Sequence, residues 1–342
     1  MGNLAPQPDP VAVPGPVKKR RWLRRLGYVV AGVCVLFNVI AYCQARSMTH
    51  FSRGGPPMPR PEHLSLPAKL WYGLFGVSVP RPENHETPVD HGLEYSERTV
   101  EVGPGVKLEL WWVPALESRG FVIALHGYGD CKSKLLTQTE VFHELGYDVM
   151  LVDFRGSGGS SASHTSLGVE EAEDLEAVWA TVSEEARGRP IYLYGRSMGA
   201  VAALRGISRG QIKPVGAILE CPFDRMSTAI RRRCDLVGAP RFPTAELLLF
   251  WGSVQLGMNA FEHNPVDYAR DVTCPVLLLR GADDPRVHQS DLEEIARNLP
   301  TSPKVEVFAG CTHDPCVQHD RARFREILAD FFQNDPPVIP AF

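Results

Sequence analysis

The sequence has no excess of basic residues over most of its length. Its 342 residues include 36 Lys and Arg against 40 Asp and Glu, for a net charge of −4. Six of the cations and a single aspartate fall within residues 1–25, which therefore carry +5 and leave −9 on residues 26–342. Because binding to a phosphate backbone depends on clustered cations, this acidic body excludes a nucleic-acid-binding function.

A recognisable metal-binding spacing is also missing. Cys311, His313, Cys316 and His319 lie close together in the sequence, but their spacing matches no usual zinc motif. No metal and no organic cofactor is therefore expected. The eight cysteines do not settle the redox compartment. Cys311 and Cys316 are near enough along the chain to form a disulfide in an oxidising compartment, although sequence alone does not establish the geometry.

Charge is absent altogether from Leu26 to Cys43. These 18 residues would span about 27 Å as a helix, just enough for a hydrocarbon core of about 30 Å. We predict a basic cytoplasmic tail over residues 1–25 and a single-pass anchor over residues 26–43, with the remainder extracytoplasmic because the preceding arginines stay in the cytoplasm. A cleaved signal peptide is the alternative, although Cys43-Gln44-Ala45 is a poor cleavage site.

A linker is predicted between the anchor and the main domain, over residues 44–94. Its stretch from Gly54 to Pro61 is too rich in proline for a helix or a central strand. Apolar residues then recur at helical spacing from Leu66 to Phe75, which predicts a short amphipathic helix on the bilayer or on the domain. The domain itself is expected over residues 95–334, followed by a tail at residues 335–342.

Ser197 occupies the centre of a Gly-Arg-Ser-Met-Gly segment from Gly195 to Gly199. The apolar run Ile191–Tyr194 precedes it and reads as a strand, whereas the small residues that follow read as a helix. Such a strand–turn–helix holds a serine in a strained conformation at the helix N-terminus, where its oxygen is exposed for attack. We therefore predict that Ser197 is a nucleophile, with the backbone N–H of Met198 directed at the oxyanion.

A serine hydroxyl is a weak nucleophile, so it requires a base and an orienting acid. Asp283 and Asp284 follow a predicted buried strand, and His313 follows the next predicted strand. We assign Asp284 as the acid and His313 as the base. Two alternatives remain open: the Asp pair is only a turn, or the acid is Glu220 or Asp224 after an earlier strand.

In this order and context, Ser197, Asp284 and His313 resemble the triad of a serine hydrolase of the α/β-hydrolase superfamily. The resemblance extends from about residue 95 to residue 332 and includes the glycine-rich strand exit at His126–Gly129. It implies that the backbone of Tyr128 supplies the second oxyanion donor. It also implies a mostly parallel α/β sheet with helices on both faces and a helical cap insertion at about residues 223–270.

The cap segment is unusually apolar, which suggests a wall for an acyl or aryl group formed by Phe250, Trp251 and Phe261. The predicted function is a membrane-anchored, monomeric serine hydrolase that cleaves a small-molecule or lipid ester or thioester through an acyl-enzyme, without a cofactor. An acyltransferase or a peptidase with the same triad remains possible. So does a non-catalytic binding module of this fold, although no triad residue is missing.

Overall fold

The computed structural model describes residues 19–54, 64–76 and 78–334. Most of the predicted basic tail and proline-rich stretch, together with the predicted C-terminal tail, lies outside these residues. The chain divides between Ile40 and Ala41 into two compact units.

Helix α1 extends from Lys19 to Thr49 and is longer than the predicted anchor. Over the described residues of the chain, one helix is long and apolar enough to cross a bilayer, at Arg21–Thr49. Its apolar side chains before residue 40 are mostly exposed, whereas Ala41, Ala45 and Thr49 are buried. These three residues are spaced four apart and therefore lie on one face, so the last turns of the helix belong to the second unit.

An eight-stranded sheet forms the centre of the second unit, in the order β1-β2-β4-β3-β5-β6-β7-β8. Strand β2 pairs antiparallel with β1 on one side and with β4 on the other, and all the other pairs are parallel. The strands are β1 (Ser96–Glu101), β2 (Lys107–Val113), β3 (Phe121–Leu125), β4 (Asp148–Val152), β5 (Ile191–Arg196), β6 (Gly216–Glu220), β7 (Val276–Gly281) and β8 (Lys304–Phe308).

Helices cover both faces of the sheet, and the buried apolar residues form one cluster on each face. The predicted mostly parallel α/β sheet is thus confirmed. The helices after α1 are α2 (Leu66–Phe75), α3 (Leu136–Glu144), α4 (Glu170–Ala186), α5 (Met198–Ser208), α6 (Met226–Val237), α7 (Arg241–Leu256), α8 (Pro265–Tyr268), α9 (Gln289–Asn298), α10 (Cys316–His319) and α11 (Arg321–Asn334).

The cap lies where the sequence predicts an insertion, between β6 and β7, and consists mainly of α6 and α7. Helix α7 buries Ala245, Leu249 and Gly252, which follow the helical period. Parallel strands β5, β6, β7 and β8 are neighbours, so their carboxyl ends meet at one edge of the sheet. The loops after these strands therefore form one rim, as in other open α/β sheets.

Candidate active site

Ser197 lies directly between β5 and α5, with backbone angles φ 51° and ψ −112°. Few residues other than glycine adopt this conformation, so the turn is strained. The flanking glycines are required by space. A Cβ at Gly195 would overlap the backbone carbonyl of Gly199, and one at Gly199 would overlap the carbonyl of Leu125. The backbone N–H of Ser197 donates to Glu220 O at 2.7 Å, which ties the turn to the end of β6.

Asp284 and His313 are hydrogen-bonded, with 2.7 Å between Asp284 Oδ2 and His313 Nδ1. The other carboxylate oxygen, Oδ1, accepts the backbone N–H groups of Arg286 at 2.8 Å and Val287 at 3.0 Å. Burial opposes ionisation, but the hydrogen bond and the charge of His313 keep the pKa of Asp284 below its usual value. The carboxylate is therefore ionised at neutral pH and holds the imidazole in one orientation.

The other candidate acids have different partners. Glu220 is fully buried and accepts hydrogen bonds from the Tyr194 hydroxyl at 2.7 Å and the Cys316 N–H at 2.9 Å. Asp224 accepts the N–H of Arg225 at 2.7 Å. Asp283 donates its backbone N–H to Cys311 O at 2.9 Å. Of the four carboxylates considered from the sequence, Asp284 is the one for which a contact with His313 is found in the described part of the chain.

Arg196, the residue before Ser197, connects the turn that carries Ser197 to the loop that carries His313, and sequence analysis did not identify this role. Its guanidinium donates to the backbone carbonyl of His313 and, at 3.0 Å, to Asp130 Oδ2. Although burial opposes the charge, Asp130 and Glu220 raise the pKa of Arg196 above its ordinary value. Arg196, at the variable position before the serine of the Gly-x-Ser-x-Gly segment, is therefore a permanently charged residue whose hydrogen bonds connect two loops.

The glycine-rich loop after β3 is held by two hydrogen bonds of the His126 ring, which is fully buried. His126 Nε2 accepts the Phe154 N–H at 3.1 Å, which leaves Nδ1 as the donor to Gly127 O at 2.8 Å. Tyr128 follows in this loop, and its hydroxyl donates to Met48 O at 2.7 Å. The loop that carries the predicted oxyanion donor is thus attached to the end of α1.

One group of potential metal ligands occurs among the described residues. Cys221 Sγ, an Asp284 oxygen and a His313 ring nitrogen lie within 4.8 Å of one another. Two of these residues are already bonded to each other. Burial, followed by the charges of Asp284 and Glu220, raises the pKa of the Cys221 thiol well above its ordinary value, so the thiol is protonated at neutral pH. Cys311 and Cys316 are both buried and are not bridged.

A small apolar cavity of about 40 Å³ lies beneath the cap. Helix α7 lines it with Leu248, Leu249, Gly252 and Leu256, and α1 contributes Ala45, Met48 and Thr49. Phe250, Trp251 and Phe261 do not line this cavity as it is found among the described residues. Phe250 and Phe261 are 49% and 44% exposed, and Trp251 stacks edge-on against Tyr42 with 5.4 Å between ring centroids.

Comparisons with known proteins point to hydrolases. The family model described as serine aminopeptidase, S33, matches residues 116–255. The uncharacterized protein YqkD of Bacillus subtilis is 25% identical over 267 residues, which cover 75% of this chain and 86% of that protein. Lysophosphatidylserine lipase ABHD12 of Gallus gallus is 28% identical over 251 residues, which cover 65% of this chain and 64% of the lipase. The match thus spans less than two thirds of that lipase.

Solved structures share the fold. Esterase Pf2001 of Pyrococcus furiosus superposes with a TM-score of 0.62 at 24% identity, covering 75% of this chain and 97% of the esterase. Est1E of Butyrivibrio proteoclasticus, solved with ferulic acid bound, gives a TM-score of 0.56 at 18% identity and covers 70% of this chain and 98% of its own.

Proposed function

Because the chain is an esterase- and lipase-like hydrolase of the α/β-hydrolase superfamily, we propose that it cleaves a carboxylic ester or thioester through an acyl-enzyme on Ser197. The observation that carries this proposal is the 2.7 Å bond between Asp284 and His313, on the rim where Ser197 precedes α5. Arg196 supports it, because a side chain adjacent to the nucleophile holds the backbone of the base.

The proposed reaction has two halves. His313 Nε2 takes the Ser197 hydroxyl proton while the serine oxygen attacks the substrate carbonyl, and the backbone N–H groups of Tyr128 and Met198 stabilise the resulting oxyanion. The intermediate collapses, and the imidazolium donates its proton to the leaving alcohol or thiol. Water, deprotonated by His313, then attacks the acyl-enzyme, and the serine departs with that proton to restore the free enzyme and a carboxylic acid.

A lipophilic acyl group is the proposed substrate feature. The cavity beneath the cap is lined by apolar side chains together with Gly252 and the hydroxyl-bearing Thr49. An aminopeptidase, as in the description of the matching family model, would have to bind the ammonium group of its substrate, which is costly to bury in a cavity with mostly apolar walls. The similarity to lysophosphatidylserine lipases supports a lipid ester. The proposed setting is a bilayer spanned by α1, with the N-terminus in the cytoplasm and the catalytic domain outside.

The decisive test is labelling with a fluorophosphonate, which reacts with an activated serine. The wild type should be labelled and Ser197→Ala should not, and turnover of a simple ester should fall by about 10⁴-fold or more. Ser208→Ala is the matched control, because this serine lies at the other end of the same helix and bonds Arg205 O at 2.8 Å. Pure, folded wild type that resists labelling would instead support a binding module.

A further inference from the structure

The last two turns of α1 are built into the cap. Gln255 of α7 donates to Tyr42 O at 2.9 Å, and Gln44 donates to Tyr72 O of α2 at 2.6 Å. The buried face with Ala41 and Ala45 has small side chains, which allow the helix backbone to approach its neighbours closely. This end of the helix therefore packs as part of the domain and is more than a linker.

The same turns form one wall of the apolar cavity. Ala45, Met48 and Thr49 line it from α1, opposite Leu249 and Gly252 of α7. The cavity is next to the candidate catalytic apparatus. Met48 O accepts a hydrogen bond from the hydroxyl of Tyr128, whose backbone N–H is the proposed oxyanion donor. Met48, Tyr128 and Met198, the residue after Ser197, also belong to one apolar cluster.

Exposed apolar side chains lie on the two helices that are hydrogen-bonded to the end of α1. Leu70 and Trp71 of α2 are each 61% exposed, and Val254 of α7 is 56% exposed. Both helices are bonded to the end of α1, and the charge-free segment of the chain runs up to Cys43. If that segment crosses a bilayer, the covalent chain brings these side chains to the bilayer surface, where exposed apolar groups are stabilised.

We propose that Ala45, Met48 and Thr49 form part of the acyl-binding site, and that the substrate is a long-chain lipid ester whose chain passes from the bilayer into the cavity along the end of α1. This assignment rests on the proposed esterase function. About 40 Å³ of this space can hold the centre of a water molecule, which is room for the end of an acyl chain and too little for a long one. A long chain therefore enters by displacing the end of α1 from α7, and α1 acts as both anchor and gate.

Chain-length selectivity tests this assignment in the full-length protein, using p-nitrophenyl dodecanoate against p-nitrophenyl acetate. Ala45→Phe should fill the cavity from the α1 side and Gly252→Leu from the α7 side, where an added Cβ meets no atom within 4 Å. Each should lower kcat/KM for dodecanoate at least tenfold while acetate stays within twofold. Cys43→Phe, on the exposed side of the same helix, is the control and should change neither value.

A binding measurement separates this proposal from the catalytic one. In Ser197→Ala, a diazirine-bearing dodecanoic acid should crosslink to peptides containing Met48 and Leu249, and Ala45→Phe should abolish the crosslink. Crosslinking without any fluorophosphonate labelling of the wild type would contradict the esterase function but retain the lipid site. The proposal for α1 would be overturned if the wild type is labelled and turns over esters, but Ser197→Ala gives no crosslink. In that case Ala45→Phe and Cys43→Phe would also have equal chain-length profiles.

Discussion

At the scale of single residues, two adjacent carboxylates have separate environments. The side chain of Asp284 is fully buried and divides its oxygens between His313 and two backbone N–H groups. Asp283, one residue earlier, is fixed through its backbone N–H to Cys311 O. Because the two residues share a turn, a substitution at Asp283 disturbs the loop about as much as one at Asp284 does. It leaves in place the Asp284 carboxylate that binds the His313 imidazole.

We expect Asp284→Asn to lower kcat by about 10⁴-fold, because the amide can present an N–H to His313 Nδ1 and favour the wrong tautomer. Asp283→Asn should remain within about threefold of the wild type. The measurement is steady-state hydrolysis of p-nitrophenyl acetate, with near-UV circular dichroism as the check of folding. A large loss in Asp283→Asn and a small one in Asp284→Asn would reverse the assignment of the acid.

At the scale of elements, His263 joins the cap to the loop after β4. It is buried, its Nε2 donates to Leu167 O at 3.1 Å, and its Nδ1 accepts the Tyr268 hydroxyl at 2.9 Å. Its backbone carbonyl accepts the Met226 N–H at the start of α6. Burial lowers the pKa of His263 from 6.5 to about 4, so the ring is neutral at physiological pH.

This neutral ring predicts an acid-sensitive cap. The unfolded chain takes up a proton near pH 6.5, whereas the folded chain does so near pH 4, so stability is complete above about pH 6.5 and declines as the pH falls toward 4. Between pH 7.5 and 5 the loss is about 2 kcal/mol. His263→Gln keeps a donor and an acceptor without titrating. Urea unfolding at both pH values should show a smaller loss for this variant, and equal losses would contradict the prediction.

The elements that sequence analysis predicted correctly are those with local signals. The strand run before Ser197, the glycines around it and the helical spacing from Leu66 to Phe75 each depend on residues that are close in sequence. The role of Arg196 had no such signal, because its partners Asp130 and His313 lie on different loops. Likewise α1 continues past Cys43, where the Gln44 side chain donates to α2, and Gln255 of α7 donates to the carbonyl of Tyr42; the sequence gives no means to place α2 and α7 beside α1.

The apolar composition of the cap also predicts less than the structure shows. Its apolar run predicts a wall but does not say which side chains face inward. In α7, the residues that line the cavity follow the helical period from Leu248 to Leu256, and Phe250 and Trp251 lie between them in sequence. The small residues Gly252 and Ala45 line the cavity, and a small residue in a sequence gives no signal of the space beside it.

At the scale of the whole molecule, the boundary between the two units does not coincide with the end of a helix. Helix α1 continues through the division at Ile40 and Ala41, and the part from Ala41 onward supplies buried residues to the domain. Anchoring and catalysis are therefore expected to separate at Ala41 and not at the end of α1. Two truncations of the chain can distinguish these positions.

A chain of residues 41–342 should leave the membrane fraction after carbonate extraction, whereas the full-length protein should remain in the pellet, because about 20 apolar residues suffice to span a bilayer. Hydrolysis of p-nitrophenyl acetate by residues 41–342 should stay within a few-fold of the full-length value. A chain of residues 51–342 lacks Ala45 and Met48, so it loses one apolar wall of the cavity and should melt at least several degrees lower. Equal melting temperatures for the two truncations would show that the end of α1 is dispensable, and full-length protein released by carbonate would show that the helix does not span the bilayer.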